Sequence, residues 1–146
     1  MRGLILVAVL GLAGCAGMQQ ARQAHLAEFE RTIPVCEGEK ECEIAWAHAR
    51  NWVIRNCGMK IQNITDTYIE TFGSTDTRLA CRVLGEPRGP DSWAIVIRTA
   101  CGNIFGCVPD AQEAALRFNN EMNMLIGRPG EDETPPGGMQ YRPRIP

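Results

Sequence analysis

The most distinctive chemistry in this chain belongs to its seven cysteines. The first of them, Cys15, follows an apolar run from Gly3 to Leu12 that has Arg2 in front of it. That run is about ten residues long, which is too short for a permanent transmembrane helix, since a span needs about 20 residues. A short apolar run behind a positive residue is typical of a secretory signal peptide, and we predict one at residues 1–14.

The segment Leu12-Ala13-Gly14-Cys15 resembles the lipobox of bacterial lipoproteins. The resemblance implies cleavage before Cys15, a diacylglyceryl thioether on its sulfur and acylation of the new N-terminus. Several acyl chains anchor a protein firmly, because each buried methylene contributes about 0.8 kcal/mol. Ala16 stands where an aspartate would imply retention in the inner membrane, so the resemblance implies the outer membrane, with the body facing the periplasm. The alternative is an ordinary secretory peptide with an incidental cysteine.

The other six cysteines are an even number in a chain expected to reach an oxidising compartment, which favours disulfide bonds. Two pairs share the spacing Cys-x5-Cys, so we predict local bridges there and assign the remaining two cysteines to each other. In the chain-entropy model each short loop contributes roughly 2 kcal/mol and the longer loop roughly 3.5 kcal/mol. The predicted bridges are Cys36–Cys42, Cys101–Cys107 and Cys57–Cys81.

A metal site is the weaker interpretation of these cysteines. Structural zinc sites use pairs separated by about two to four residues, often with histidine, and neither His25 nor His48 is close in sequence to a cysteine pair. The acidic run at 37, 39, 41 and 43 fits a solvated surface better than a weak cation site. We therefore predict no metal and no cofactor.

No catalytic constellation is evident in the sequence. The predicted body has two serines, Ser74 and Ser92, and no Gly-x-Ser-x-Gly motif, and its one histidine, His48, falls in the middle of a predicted helix. A cysteine nucleophile requires a free thiolate, which oxidation would remove. We therefore expect a protein that is not an enzyme.

Composition divides the chain into four segments. After the signal peptide, residues 15–34 form a lipidated tether, residues 35–127 a single folded domain, and residues 128–146 a tail rich in proline and glycine that we predict to be disordered. The formal net charge of −2 gives no basic excess of the kind that favours nucleic-acid binding.

Hydrophobic periodicity predicts an α+β fold, with a helix, a three- to four-stranded antiparallel sheet and a second helix, stapled by disulfides. Asp110 with Glu113 forms a capping-box pattern that starts the last helix. The loop predicted between the last two strands holds two prolines and two glycines. The predicted elements are a helix at 43–56, strands at 59–64, 67–72, 78–84 and 93–101, a loop at 85–91, and a helix from 110.

The segment from Cys101 to Asp110, Cys-Gly-Asn-Ile-Phe-Gly-Cys-Val-Pro-Asp, resembles a stretch in small uncharacterised outer-membrane lipoproteins of proteobacteria. That resemblance covers about residues 42–119 and implies a family without a known activity. The element order also resembles the helix-grip modules of outer-membrane assembly lipoproteins.

Two features of the body could serve binding. Ile104 and Phe105 form the tip of the predicted Cys101–Cys107 loop, although the favoured interpretation is that Phe105 packs into the core beneath the last helix. Arg82 and Arg98 share a predicted sheet face that could bind carboxylate or phosphate groups, the simpler interpretation being a solvated face. We therefore expect a non-enzymatic envelope accessory or interaction module that contacts envelope proteins or cell-wall polymers; the alternative is a small-molecule or glycan-binding lipoprotein.

Overall fold

A computed structural model describes residues 2–127, with side chains from residue 17 onward, so the predicted tail at 128–146 lies outside the described residues. No helix in this part of the chain is both long and apolar enough to cross a membrane. The elements, in chain order, are α1 (Arg2–Arg31), β1 (Val35–Glu37), α2 (Glu39–Asn56), β2 (Ile61–Ile64), β3 (Tyr68–Thr71), β4 (Ala80–Gly89), β5 (Ser92–Ala100) and α3 (Ala111–Leu125).

The predicted α+β class is confirmed, but the sheet has five strands rather than three or four. All neighbours are antiparallel, in the order β1-β5-β4-β3-β2. The additional strand is β1, which has only three residues and pairs with β5 through Val35 and Ala94. A strand this short carries no recognisable alternation, so only its pairing with β5 identifies it.

The predicted loop at 85–91 is wrong, because β4 continues to Gly89 and forms a hairpin with β5. Pro87 lies within this extension, opposite Trp93. The pairing of β4 with β3 ends at Leu84, so β4 has an edge without a strand partner at Pro87. The missing N–H of a proline is tolerated at such an edge, and a register shift follows between Pro87 and Gly89.

The core lies between one face of the sheet and the helices α2 and α3. Trp52 of α2 and Phe118 of α3 meet edge to face with ring centroids 5.1 Å apart. They pack in one cluster with the inward side chains of the three central strands. These strand residues are Ile69, Cys81, Val83, Ile95 and Ile97, and Leu79, just before β4, packs with them.

Helical spacing in the sequence predicts buried stripes, which the structure confirms only in part; the predicted residues are Trp46, Ala49, Val53 and Cys57 for α2 and Ala111, Ala114, Phe118, Met122 and Leu125 for α3. On α2, Trp52 is fully buried, whereas Trp46, predicted as core, is only partly buried. On α3, Leu125 is exposed, although Phe118 and Met122 are buried as predicted. The predicted start of α3 is confirmed, since the Asp110 carboxylate accepts hydrogen bonds from the backbone N–H groups of residues 112 and 113.

All three predicted disulfides are present. Cys36–Cys42 joins β1 to the first turn of α2, and Cys57–Cys81 joins the end of α2 to β4. Cys101–Cys107 closes the segment between β5 and α3. Two bridges therefore tie the two ends of α2 to the sheet, and the third closes the loop that precedes α3.

The end of α1 is fixed to α3 by two buried asparagines. The Asn119 side chain donates to the Phe29 carbonyl at 3.2 Å and to the Thr32 hydroxyl at 3.1 Å. The Asn123 side chain donates to the Thr32 carbonyl at 2.8 Å. Two of these three bonds satisfy backbone carbonyls at the C-terminal end of α1, which have no partner within the helix, and all three attach this end of α1 to α3.

Candidate functional site

A groove of about 640 Å³ lies at one end of the sheet. One wall is the N-terminal half of α2, and the other is formed by the β2–β3 turn and the β4–β5 hairpin. Its lining residues are Cys36, Gly38, Glu39, Cys42, Glu43, Trp46, Ala47, Arg50, Asp66, Thr67, Gly85, Pro90, Asp91, Trp93 and Ile95. We call this feature the tryptophan groove.

Two half-buried tryptophans line the groove from opposite elements. Trp46 lies on α2, and its indole N–H donates to the Thr65 carbonyl at 3.3 Å, which joins the helix to the β2–β3 turn. Trp93 lies on β5, and Gly85 of β4 is beside it. A Cβ atom added at Gly85 would lie 3.6 Å from Cε3 of Trp93 and 3.7 Å from Thr67. The missing side chain therefore leaves room for about one methyl group between Trp93 and Thr67.

The charges around the groove are predominantly acidic. Four carboxylates, from Glu39, Glu43, Asp66 and Asp91, line it together with the single guanidinium of Arg50. Carboxylates accept hydrogen bonds and attract donors or cations, so the groove is suited to a neutral, hydroxyl-rich or weakly cationic ligand.

The rim of the groove is held in place by covalent and backbone contacts. The Cys36–Cys42 disulfide joins β1 to the first turn of α2, and both cysteines line the groove. The Gly38 N–H donates to the Asp91 carbonyl at 2.7 Å, which ties the start of α2 to the hairpin. Gly38 has a φ of 76°, a conformation that glycine adopts without strain. A groove held in this way is largely formed before a ligand arrives.

The lining residues do not include a histidine, a serine or an unbridged cysteine. Within residues 17–127, no group of three or more histidine, cysteine, aspartate or glutamate side chains is placed to hold a metal ion. What the groove offers is apolar aromatic surface next to hydrogen-bond acceptors.

The sequence pattern does not reveal this groove. The helical spacing of Trp46 predicts a buried position on α2, and Trp93 begins an ordinary strand alternation. One local signal exists: Glu43, Trp46, Ala47 and Arg50 follow the i, i+3, i+4, i+7 spacing of a single helix face. A face that mixes a tryptophan with charges of both signs indicates a partly open surface instead of a core stripe.

The structure corrects the favoured interpretation of Phe105. Its side chain is 91% exposed and that of Ile104 is 93% exposed, so neither packs beneath α3. Cys107, at the end of the same loop, is buried. The loop is therefore fixed at its base by the Cys101–Cys107 bridge while its apolar tip faces solvent.

Arg82 and Arg98 are direct cross-strand partners on the face of the sheet opposite the helices. The Arg82 guanidinium is already engaged, because it donates to one carboxylate oxygen of Glu70 at 2.6 and 3.1 Å. These hydrogen bonds hold the pKa of the Glu70 carboxyl below its usual range. Partial desolvation raises the pKa of the neighbouring Tyr68. Arg82 thus has a carboxylate partner within the sheet.

The remaining predicted sites are placed as follows. The side chain of Cys15, the predicted lipidation site, lies outside the part of the chain whose side chains are described. In the acidic run, the Glu41 carboxylate accepts from the Glu37 backbone N–H at 2.9 Å, which is a contact within the chain. Comparisons with protein-family models, with curated proteins and with solved structures gave no match in any of the three.

Proposed function

We propose that this chain is a lipid-anchored lipoprotein of the bacterial envelope whose folded body is a non-enzymatic binding module. The Leu12-Ala13-Gly14-Cys15 segment behind a short apolar run supports lipidation at Cys15, and three disulfides in a small domain support an oxidising compartment such as the periplasm. Ala16 after the cysteine supports the outer membrane.

The observation that carries the binding role is the pair Trp46 and Trp93 in one open groove. An indole ring offers a flat apolar face, and the C–H face of a sugar ring is complementary to it. The carboxylates of the rim would accept hydrogen bonds from sugar hydroxyl or amide groups. Four carboxylates against one guanidinium disfavour an anionic ligand. The ligand that we propose is therefore an uncharged glycan segment of an envelope polymer.

Calorimetric titration with a soluble oligomer of N-acetylglucosamine tests this proposal. The folded chain should bind the oligomer, and Trp46→Ala and Trp93→Ala should each reduce the affinity by more than about tenfold, which corresponds to 1.4 kcal/mol. Arg82→Ala is the matched control, because Arg82 lies on the opposite face of the sheet. Circular dichroism would verify that each variant is folded.

Two results would contradict the glycan proposal. The first is no detectable heat with the folded wild-type chain. The second is an affinity that Arg82→Ala lowers as much as the tryptophan variants do, since binding would then not be located in the groove.

The anchor is tested separately by mass spectrometry of the N-terminal peptide of the mature protein. We expect the peptide to begin at Cys15 and to carry acyl mass, and Cys15→Ala to leave the chain uncleaved at this site. A mature N-terminal peptide with an unmodified Cys15 would overturn the anchor and leave the groove proposal standing.

A further inference from the structure

Three strongly exposed apolar side chains lie together in the segment between β5 and α3. Ile104 and Phe105 are more than nine-tenths exposed, and Val108 is 84% exposed. The nine residues from Cys101 to Pro109 include no charged side chain. We call Cys101 to Val108 the apolar loop. Exposed apolar clusters on small proteins mark contact surfaces, because water disfavours them elsewhere.

The tip of the apolar loop is held by hydrogen bonds within the loop itself. The Asn103 side-chain oxygen accepts from the Phe105 N–H at 2.8 Å, and the Asn103 carbonyl accepts from the Gly106 N–H at 3.1 Å. Gly106 has a φ of 91°, which allows the chain to turn back towards Cys107. The turn at Asn103 thus places Ile104 and Phe105 at its outermost point.

The two ends of the loop are attached to the segment before β4. The Gly102 N–H donates to the Ser74 hydroxyl at 2.8 Å, and the Val108 N–H donates to the Thr77 carbonyl at 3.1 Å. Together with the Cys101–Cys107 bridge, these contacts order the loop before it meets a partner. A preordered loop loses little conformational entropy on binding.

The direction of α1 places the N-terminus at the same end of the body as the apolar loop. Thr32, after the end of α1, contacts Asn123 near the end of α3. His25 and Leu26 lie on α1 one to two turns before Thr32, and they line a cleft together with Gln112 in the first turn of α3. The two helices are therefore parallel, and α1 followed backwards from His25 passes the start of α3, where the apolar loop lies.

Both segments extend beyond the sheet at this end of the body. Cys15 precedes His25 by ten residues of α1, about 15 Å along the helix axis at 1.5 Å per residue. Ile104 follows the end of β5 by four residues, which can extend at most about 14 Å. A bilayer that holds acyl chains at Cys15 would therefore lie on the side of the body from which the loop tip projects.

The tryptophan groove lies at the opposite end of the sheet. It is lined by the β4–β5 hairpin and the first turns of α2, whereas the apolar loop follows the far end of β5. A body standing on the apolar loop would therefore present its groove away from the membrane.

We propose that the apolar loop inserts Ile104 and Phe105 into the membrane surface and so acts as a second anchor that orients the body. The proposal rests on the lipid anchor of the proposed function. A bilayer is favoured over a protein partner because the loop carries no charge that would lose its hydration on insertion, and because the loop lies at the end of the body from which the anchor extends. Two weak attachments at one end reinforce each other, as tethered binding sites do.

The test uses the lipidated full chain in vesicles of phosphatidylethanolamine and phosphatidylglycerol, with bromine on the acyl chains as a short-range fluorescence quencher. Phe105→Trp adds a tryptophan at the tip, and Ile44→Trp is the matched control, at a 52% exposed position near the groove end of α2. The tryptophan fluorescence of the protein without either substitution is subtracted from that of each variant. We expect bromine to remove most of the added emission of Phe105→Trp and to leave that of Ile44→Trp unchanged.

Equal, weak quenching of both variants in a protein whose N-terminal peptide carries acyl mass would overturn the loop proposal alone. An N-terminal peptide without acyl mass would overturn the anchor and this orientation with it. A photoreactive phenylalanine analogue at position 105 in living cells separates the two classes of partner. Phospholipid adducts would support insertion, whereas adducts with one discrete protein would contradict it.

Discussion

Cys57, the residue after the last turn of α2, is bonded to Cys81 on β4, with their Cα atoms 6.0 Å apart. Both cysteines are buried, and Cys81 lies between the inward-facing Leu79 and Val83. This bridge joins the helical layer to the sheet layer. It also spans the longest sequence separation of the three bridges, 24 residues, against six for each of the others.

The Cys57→Ala/Cys81→Ala double variant should lose roughly 3.5 kcal/mol of unfolding free energy. A disulfide stabilises the fold by lowering the entropy of the unfolded chain, and this effect grows with the length of the loop that it closes. The Cys36→Ala/Cys42→Ala double variant is the control and should lose roughly 2 kcal/mol. Urea denaturation measures both values. A smaller loss for the Cys57–Cys81 pair than for the control would contradict this account, and free thiols in the unfolded, unreduced wild-type protein would contradict the bridges themselves.

The main elements of the fold could be predicted from the sequence because their signals are local. Asp110 starts α3 through hydrogen bonds to residues two and three positions ahead, and the alternation around Cys81 identifies the buried face of β4. The continuation of β4 through Pro87 was missed because proline and glycine usually indicate a loop. Because β3 no longer pairs with β4 beyond Leu84, a proline is acceptable at position 87.

The candidate site could not be predicted in the same way, because it depends on contacts between distant segments. Trp46 and Trp93 are 47 positions apart in sequence, and only the fold brings them to one groove. The base of the loop that carries Phe105 is likewise held by a contact between distant segments, the hydrogen bond from Gly102 to Ser74. The sequence does show that this loop carries apolar residues, but not whether they face the core.

Gly85→Ala should leave the unfolding free energy unchanged or raise it by up to about 1 kcal/mol, because glycine within a strand is entropically unfavourable. The added Cβ would meet Trp93 and Thr67 only at 3.6–3.7 Å, which is ordinary van der Waals contact. Gly58→Ala is the matched control, and it should destabilise the fold, since its Cβ would lie 2.8 Å from Cβ of Arg78. Thermal melting compares the two variants. If Gly85→Ala were less stable than Gly58→Ala, a methyl group would not fit beside Trp93.

The Glu70–Arg82 pair should make stability depend on pH in the acidic range. The pKa of Glu70 is lowered in the folded protein, so its contribution is present above the unfolded pKa of about 4.3 and is lost as the pH falls through the lower folded value. Glu70→Gln should therefore flatten the loss of stability between neutral pH and the pH at which this carboxylate is protonated. Urea midpoints across a pH series measure this slope. Arg82→Ala should flatten it similarly, and the double variant should add nothing further; additive effects would contradict coupling between the two side chains.

Phe105→Ala and Phe118→Ala distinguish an exposed phenylalanine from a core one. Phe118 is fully buried against Trp52, so its truncation should lower the unfolding free energy by about 3–5 kcal/mol. Phe105 makes few contacts in the folded chain, so its truncation should change stability by no more than about 0.5 kcal/mol. Urea denaturation of the chain carrying Cys15→Ala, in solution without lipid, compares them while the loop faces water. A loss above about 2 kcal/mol for Phe105→Ala would place this residue in the core, and the apolar loop would then be unavailable to any membrane or partner.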